Sequence, residues 1–272
     1  MAIEGRLLLV GCGKMGGALL RGWLDRGVPP RHVTVVEPNA APLEDLRARG
    51  VSVLPDATGL PADLKPAVIL LAVKPQMMDD ALPPYRRLVN PGTVFLSIAA
   101  GKTVAYFHRH LGDKAIVVRA MPNTPAAVGR GITVACNSAQ ASKAQRDLCH
   151  SLLEAVGEVA WVDDEGLIDP VTAVSGGGPA YVFLLIECLA EAGAAAGLPA
   201  DLAMRLARAT VSGAGELARQ SPEPAAVLRQ NVTSPKGTTY EALKILMAND
   251  GLQPMMTKAI AAATKRSREL AG

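Results

Sequence analysis

The sequence predicts an α/β protein in which an N-terminal doubly wound sheet, at residues 1–163, is followed by a C-terminal all-α domain at residues 164–272. Short apolar runs alternate with helical patterns from residue 6 to about residue 162, as they do in parallel sheets with crossover helices. A glycine-rich turn, Gly11 to Gly17, separates the first strand from the first helix. After residue 166 no β-branched alternating run follows, and the remaining segments have helical periodicity.

The predicted strands of the first domain are short and rich in branched aliphatic residues. The run Ala67 to Val73 is almost continuously apolar, as expected of a central parallel strand covered on both faces. The other strands are predicted at residues 6–10, 33–36, 51–54, 94–98, 115–119, 131–135 and 159–162. Helices are predicted between them, among others at residues 15–26, 43–49 and 141–156.

The second domain is predicted to consist of about five helices. The first, Tyr181 to Ala196, is apolar on all faces, and such a helix is usually buried. It therefore predicts association with a second copy of the chain. The second follows a break at residues 198–201 and runs to about residue 219, and a short third comes after the proline-rich segment 221–224. The last two are predicted at residues 239–248 and 251–270.

Length and composition exclude several classes of protein. The 272 residues fit one large or two modest domains, and 49% apolar residues allow a substantial core. The net charge of +3 is scattered, and aromatic residues are few, so nucleic acid is not expected as a partner. The N-terminus lacks the pattern of a secretory signal, and no apolar run reaches the ~18 residues of a membrane span.

The cysteines predict neither a metal site nor a disulfide framework. No two of them have metal-ligand spacing, and they are far apart in the chain. Their positions are Cys12, Cys136, Cys149 and Cys188. A reduced, cytoplasmic protein without a bound metal is expected.

The turn at Gly11 has the pattern G-x-G-x-x-G, with a strand before it and a helix after it. In the Rossmann fold, residues such as Gly11, Gly13 and Gly16 allow a tight turn, backbone approach to a pyrophosphate, and close helix–strand packing, respectively. Glu37 stands about 20 positions on, where a carboxylate binds a ribose 2′-hydroxyl and repels a 2′-phosphate. The pattern predicts NAD(P)H as cofactor, and Glu37 favours NADH. The alternatives are a packing turn and a solvated carboxylate.

Three further segments follow predicted strands, where ligands bind in open α/β sheets. Ala72 to Gln76 is predicted to line the cofactor, with Lys74 near its phosphates or ribose; the alternative is a turn with an exposed lysine. Met121 to Pro125 is stiffened by two prolines and suits a nicotinamide carboxamide or a substrate, or is a purely structural turn. Ser97 to Gly101 is placed in the same way.

Two polar clusters mark the helical domain. Ser175 to Pro179 precedes a helix and suits either anion binding or close packing. Asn231 to Thr239 combines hydroxyls, Lys236 and Gly237 just before another helix, which predicts a carboxylate site rather than a simple N-cap. No Ser-His-Asp order, H-E-x-x-H motif or catalytic carboxylate pair stands out in the sequence. The chemistry is therefore expected to come from the cofactor.

Taken together, these motifs resemble the pyrroline-5-carboxylate reductase family, the last enzymes of proline biosynthesis, along essentially the whole chain. The resemblance rests on Gly11 to Gly16, Ala72 to Pro75, Arg119 to Pro125, Ser175 to Tyr181 and Val232 to Thr239. It implies a Rossmann domain, a helical domain that interlocks with a second subunit, and hydride transfer from NAD(P)H to the C=N carbon of pyrroline-5-carboxylate, giving L-proline.

The resemblance also implies roles for individual residues. The loop Ser234 to Thr239 would hold the substrate carboxylate, and the Thr239 hydroxyl would bond the ring nitrogen as the one catalytic side chain. The other residues expected to bind substrate are Ser234, Lys236, Gly237 and Thr238. The residues expected to bind the cofactor are Gly11, Gly13, Lys14, Met15, Gly16, Glu37, Asn39, Ala72, Val73, Lys74, Pro75 and Met121.

The sequence departs from the family pattern at Lys236, where the family loop usually has glycine. If this position needs a positive φ, a lysine is disfavoured there. If it does not, Lys236 adds a cation beside a carboxylate. The segment Glu37-Pro38-Asn39 also lacks the Asn-Arg of some NADP-preferring members.

Two rival functions stay open at this point. The first is another Rossmann-plus-helical reductase of the hydroxyacid or imine type, which would carry a Lys or Asp on the interdomain helix. The helix after Gly178 has no ionisable group before Glu187 except Tyr181, which weighs against it. The second is a non-catalytic protein that binds NAD.

Overall fold

The computed structural model describes residues 5–39 and 41–271 and divides the chain into two compact units. The first unit runs to Gly176 and also includes the residues from Ala263 onward; the second is Gly177–Ala262. The boundary between the compact units, after Gly176, comes later in the chain than the predicted domain boundary after residue 163. The predicted domain boundary stays a prediction.

The first unit is built on one eight-stranded sheet with the order β3-β2-β1-β4-β5-β6-β7-β8. The strands are β1 (Arg6–Val10), β2 (Val33–Val36), β3 (Ser52–Leu54), β4 (Pro66–Leu71), β5 (Val94–Ser97), β6 (Ile116–Met121), β7 (Gly131–Asn137) and β8 (Gly157–Trp161). The order reverses between β1 and β4, and the crevice at such a reversal is where open α/β sheets bind ligands.

Both faces of the sheet are buried, which confirms the predicted α/β class. Leu7 and Leu9 of β1 pack in one apolar cluster, while Leu8 and Val10 pack in a second cluster on the opposite face. The alternation follows from the two-residue period of a strand. The helices of this unit are α1 (Lys14–Asp25), α2 (Glu44–Ala48), α3 (Met78–Ala81), α4 (Val104–Leu111), α5 (Lys143–Leu153) and α6 (Ile168–Val171).

Strand direction changes once within the sheet. β6 and β7 are antiparallel, whereas every other neighbouring pair is parallel. Only the short turn Thr124–Val128 lies in the link between them, and a parallel pair needs a crossover of a dozen residues or more. The link is therefore long enough only for a hairpin-like return.

The second unit is helical and leaves a large apolar surface uncovered. Its helices are α7 (Gly178–Ala195), α8 (Ala200–Gln220), α9 (Ala225–Asn231), α10 (Thr238–Leu246) and most of α11 (Leu252–Ala271). The prediction of a buried α7 is wrong for the single chain. Its one extensive contact among the described residues is with α8, and Phe183 stays 59% exposed. Within the described residues, one helical stretch, Glu165–Ala195, is long and apolar enough to span a membrane, and 11% of its apolar window is buried. A helix in contact with a second chain has the same composition, so this stretch is weak support for a membrane.

Candidate active site

The glycine turn after β1 is packed so tightly that two of its positions accept only glycine. Gly11 has φ +84°, and its N–H donates to the Val36 carbonyl at 2.9 Å. A Cβ on Gly16 would lie 2.6 Å from the Gly11 carbonyl oxygen and 3.1 Å from Ala72 Cβ. These contacts hold the start of α1 against the ends of β1 and β4.

Gly13, in contrast, faces open space. A Cβ built there would have no atom within 4 Å, and Gly13 is the residue directly before α1. The N-terminus of α1 has no side-chain cap and no acidic residue in its first turn. Free N–H groups, the helix dipole and an open approach together fit a pyrophosphate.

Glu37 is held in place at the end of β2. Its Oε2 accepts a hydrogen bond from the Cys12 N–H at 2.8 Å, and its Oε1 accepts one from the Asn39 N–H at 3.0 Å. The carboxylate is therefore fixed beside the glycine turn, not freely solvated. Burial, with a smaller contribution from Glu37, raises the pKa of the Cys12 thiol to about 11, so this cysteine stays protonated and is no nucleophile.

A cavity of about 480 Å³ opens beside this turn, and a small-molecule site has this size. Of the residues predicted to bind the cofactor, seven line it: Gly11, Gly13, Glu37, Asn39, Ala72, Val73 and Lys74. The sequence analysis missed the other lining residues, namely Val10, Val36, Pro38, Pro55, Asp56, Ala57, Met77, Asp80, Ala81, Pro84 and Tyr85. Val10 and Val36 end β1 and β2, the others lie in turns and short helices after different strands, and no fixed spacing marks such a set.

The remaining predicted cofactor residues lie outside this lining. Lys14 and Met15 form the first turn of α1, and Gly16 is buried beneath it. Pro75 begins the 3-10 turn after Lys74. Met121 ends β6, and a Cβ built on Gly176 would lie 2.6 Å from its Cε, so Met121 fills space beside Gly176. The predicted roles of these residues stay predictions.

In the second unit, the predicted substrate loop forms the approach to α10. The Gly237 N–H donates to the Ser234 carbonyl at 3.0 Å, which closes a turn. Gly237 is the N-cap of α10 and offers no side-chain cap, so the first N–H groups of this helix are free for a ligand. Ser234, Lys236, Thr238 and Thr239 are exposed on this loop.

Lys236 adopts a left-handed backbone conformation, which glycine adopts most easily. Its φ is +59°, and among the described residues no other non-glycine residue has a positive φ. The first of the two alternatives therefore holds, and the loop accepts a lysine in a left-handed conformation that costs roughly 1–2 kcal/mol.

A buried ion pair in the first unit escaped the sequence analysis. The Arg119 side chain is almost fully buried, and its Nη1 donates to Glu165 Oε1 at 3.0 Å. The same oxygen accepts the Val104 N–H at 2.8 Å, so the pair joins β6, the start of α4 and the turn before α6. Arg119 Nη2 is buried without a partner among the described residues.

Metal ligands are not clustered in the part of the chain that the structure describes. No group of three or more His, Cys, Asp or Glu side chains is placed to hold an ion there. All four cysteines are free thiols. A second cavity, of about 600 Å³, lies between α7 and α8 on the exposed apolar face, and Phe183, Met204 and Arg208 line it. None of the residues that line this second cavity belongs to a motif identified in the sequence.

Comparisons with known proteins relate both parts of the chain to oxidoreductases. The model of the pyrroline-5-carboxylate reductase dimerisation family matches residues 165–270. The family model described as "NADP oxidoreductase coenzyme F420-dependent" matches residues 6–101. The loop before α10 lies in the range of the first model, and the glycine turn lies in the range of the second.

Similar proteins match over nearly their full length. The pyrroline-5-carboxylate reductase of Pseudomonas aeruginosa is 39% identical over 98% of this chain and 97% of its own. That of Glycine max is 37% identical over 96% and 94%. A solved pyrroline-5-carboxylate reductase from Coxiella burnetii superposes with a TM-score of 0.92 at 33% identity, over 99% of this chain and 100% of its own. The Plasmodium falciparum enzyme, solved with NADP bound, gives 0.83 at 26% identity over 99% of both chains.

Proposed function

We propose, because this chain belongs to the pyrroline-5-carboxylate reductase family, that it transfers a hydride from NAD(P)H to the C=N bond of 1-pyrroline-5-carboxylate and so forms L-proline. The observation that carries the proposal is 39% identity over 98% of the chain, which includes both the glycine turn and the loop before α10. The assay that tests it is NADH or NADPH oxidation that depends on added pyrroline-5-carboxylate. A protein that binds NADH but reduces no cyclic imine would instead be a nucleotide-binding protein.

In this proposal the first unit binds the cofactor and the second unit binds the substrate carboxylate. Bound NAD(P)H supplies the hydride. The N-terminus of α1, with the open backbone of Gly13, holds the pyrophosphate, and Glu37 holds the adenosine ribose. The free N–H groups of α10, with the hydroxyls of Ser234 and Thr238, hold the substrate carboxylate.

The chemistry requires positioning more than acid–base catalysis. An imine protonated on nitrogen already has an electrophilic carbon, so no strong general acid is needed. Holding two reactants in a reactive geometry accounts for about 7–11 kcal/mol of a barrier. The Thr239 hydroxyl, at the start of α10, hydrogen-bonds the ring nitrogen and fixes the orientation of the ring.

Replacing Thr239 with alanine is expected to lower kcat/KM for the imine by about 10–100-fold, because one polar contact to a charged group contributes about 1–3 kcal/mol. Thr239 is exposed and does not cap α10, so the fold should be unaffected. Steady-state kinetics of T239A and T239S measure the effect, and T239S keeps the hydroxyl and should retain most activity. Unchanged kinetics in T239A would remove Thr239 from the site.

The charges around the cavity support NADH as the preferred hydride donor. Three carboxylates line it, those of Glu37, Asp56 and Asp80, against one cation, Lys74. Glu37 is fixed by two backbone N–H groups and so cannot easily swing away from a 2′-phosphate. NADP is named in the family description for residues 6–101 and in the Plasmodium falciparum structure, and either cofactor would use the same turn.

Replacing Glu37 with glutamine is expected to raise the ratio of kcat/KM for NADPH to that for NADH by at least about 10-fold. Removing a carboxylate about 4 Å from a phosphate relieves a repulsion of up to about 4 kcal/mol at an effective dielectric constant of 20. Kinetics with both cofactors measure the ratio. Glu44→Gln is the matched control, because Glu44 lies outside the cavity lining on α2. An equal shift in both variants would show a general charge effect and contradict the role of Glu37.

A homodimer is the proposed assembly, in the cytoplasm and without membrane or nucleic acid partners. The exposed apolar side chains of α7, α10 and α11 support it, since Ile245 is 75% and Phe183 59% exposed in the single chain. The family model for residues 165–270 is a dimerisation model. Four free thiols, one of them on the exposed Cys188, fit a reducing compartment. Light scattering that finds only a 28.3 kDa monomer would contradict the dimer.

A further inference from the structure

Lys236 occupies a strained position in the turn that leads into α10. The Gly237 N–H donates to the Ser234 carbonyl, so Pro235 and Lys236 are the two central residues of this turn. The φ of Lys236 is +59°, and a positive φ at the second central position is a feature of the type II turn, where glycine or asparagine is usual. Pro235 fits a type I turn equally well, and there the next residue has a negative φ. The proline therefore does not by itself impose the strained conformation.

This strain points to a role for the lysine side chain. Non-glycine residues with left-handed backbones are concentrated at ligand sites and switch regions, where the strain is offset by function. Glycine would keep the same turn without the strain. What lysine adds at this position is a flexible stem that ends in an ammonium group. The charge of Lys236 is therefore the property that calls for an explanation.

The ammonium group of Lys236 is free to attract an anion. The side chain is exposed and makes no ion pair or hydrogen bond to any other residue in the described ranges. Glu241 is the one acidic residue of the stretch 225–246, and its Oε2 already binds Lys244 Nζ at 2.8 Å. The free N–H groups at the start of α10 add to the positive potential. An uncompensated positive charge thus lies beside the proposed carboxylate site.

We propose that Lys236 determines the specificity of this loop for anionic rings, because its ammonium group attracts the substrate carboxylate to the N-terminus of α10. The inference rests on the proposed function for the identity of the substrate, and it adds a side chain to a site otherwise formed by backbone N–H groups and hydroxyls. The carboxylate keeps its charge throughout the reaction, so Lys236 should stabilise the bound ground state and the transition state alike. Such an interaction lowers KM and leaves kcat unchanged.

Steady-state kinetics of the full-length protein at low and high salt test the inference. Lys236→Gln removes the charge and keeps a long polar side chain. At about 10 mM salt, where charges interact over about 30 Å, the KM for pyrroline-5-carboxylate should rise at least about 5-fold in K236Q, which corresponds to about 1 kcal/mol. The value of kcat should stay within about 2-fold of that of the unaltered protein. At about 1 M salt, where the screening length is about 3 Å, the difference in KM should largely disappear.

Three further variants separate the charge of Lys236 from other effects. Lys236→Arg keeps a cation and should keep the low KM. Lys244→Gln removes a charge that Glu241 already neutralises on the same helix, so it should leave KM unchanged. Lys236→Gly removes both charge and strain, so its KM should rise as in K236Q while its melting temperature is no lower than that of the unaltered protein.

An unchanged KM in K236Q would overturn the inference, and so would an equal rise in K244Q or a difference that persists at high salt. A lower melting temperature in K236G would make Lys236 a structural residue and would overturn it as well. A high KM in K236R would show that the charge is not the property that matters.

Binding of tetrahydrofuran-2-carboxylate separates this inference from the proposed function. This ring has the carboxylate but no imine, so its calorimetric titration into the NADH-loaded protein requires no turnover. If the unaltered protein reduces no imine but binds this ring more tightly than K236Q does, only the proposed function fails. If both proteins reduce pyrroline-5-carboxylate with the same KM, only the role of Lys236 fails.

Discussion

Replacing Arg119 with methionine should lower the free energy of unfolding by about 3 kcal/mol, the lower end of the range for breaking a buried ion pair. Arg119 is 2% exposed, and within the described residues the substitution leaves the Glu165 carboxylate with one hydrogen bond, from the Val104 N–H. The Glu165 side chain keeps 32% of its surface exposed, which allows water to compensate in part. Equilibrium unfolding in urea measures the change.

A double-mutant cycle with Glu165→Gln provides the control for this result. The variant R119M/E165Q carries no uncompensated charge and should recover part of the stability lost in R119M. The matched substitution Arg21→Met removes an exposed pair with Asp45 and should cost less than about 1 kcal/mol. A loss in R119M no larger than that in R21M would show that the buried pair is not important for stability.

Replacing Gly16 with alanine should reduce both the stability of the first unit and its affinity for NADH. The new Cβ would lie 2.6 Å from the Gly11 carbonyl oxygen and 3.1 Å from Ala72 Cβ, and neither neighbour is a flexible side-chain end. Overpacking of this kind costs about 1–3 kcal/mol. Because α1 must move away from the turn, its N-terminal N–H groups leave the pyrophosphate, and the Kd for NADH should rise up to about 100-fold. Calorimetric titration with NADH measures the affinity.

Gly17 offers the matched control for Gly16, one position along the same helix. A Cβ there would meet its nearest atom, Arg21 Nη1, at 3.6 Å, which is an ordinary contact. Gly17→Ala should therefore bind NADH like the unaltered protein and be slightly more stable, because alanine favours a helix interior. Equal losses in G16A and G17A would contradict the packing argument.

Much of the fold was predictable because it follows from local periodicity. The predicted strand Val33 to Val36 has the observed limits, and the apolar run from Ala67 matches the central strand β4. The reversed direction of β7 was not predictable from its composition, because parallel and antiparallel strands can have the same composition. It depends on the length of the link before it and on the strand that it joins.

Residues that line the candidate cavity were predictable only where they belong to motifs of recognisable spacing. Gly11 and Gly13 belong to one motif, and the structure brings both to the cavity with Glu37. Asp56 and Tyr85 belong to separate turns, and Arg119 is 46 residues from Glu165, so no spacing rule connects them. Lys236 shows a different limit: the sequence left its backbone conformation open, and only the structure shows the positive φ that a lysine disfavours.

The C-terminal end of α11 has a consequence for the order in which the chain folds during synthesis. Ser267 donates to buried Asp169 at 2.7 Å, and a Cβ on Gly101 would lie 3.0 Å from the Leu270 carbonyl oxygen. The first unit therefore takes structural contacts from Ser267, which lies 98 residues after Asp169. A nascent chain that has reached Gly176 has strands β1 to β8 but lacks these contacts, and long-range closures of this kind slow folding. Completion of the unit that contains the sheet thus waits until the whole helical unit has been synthesised.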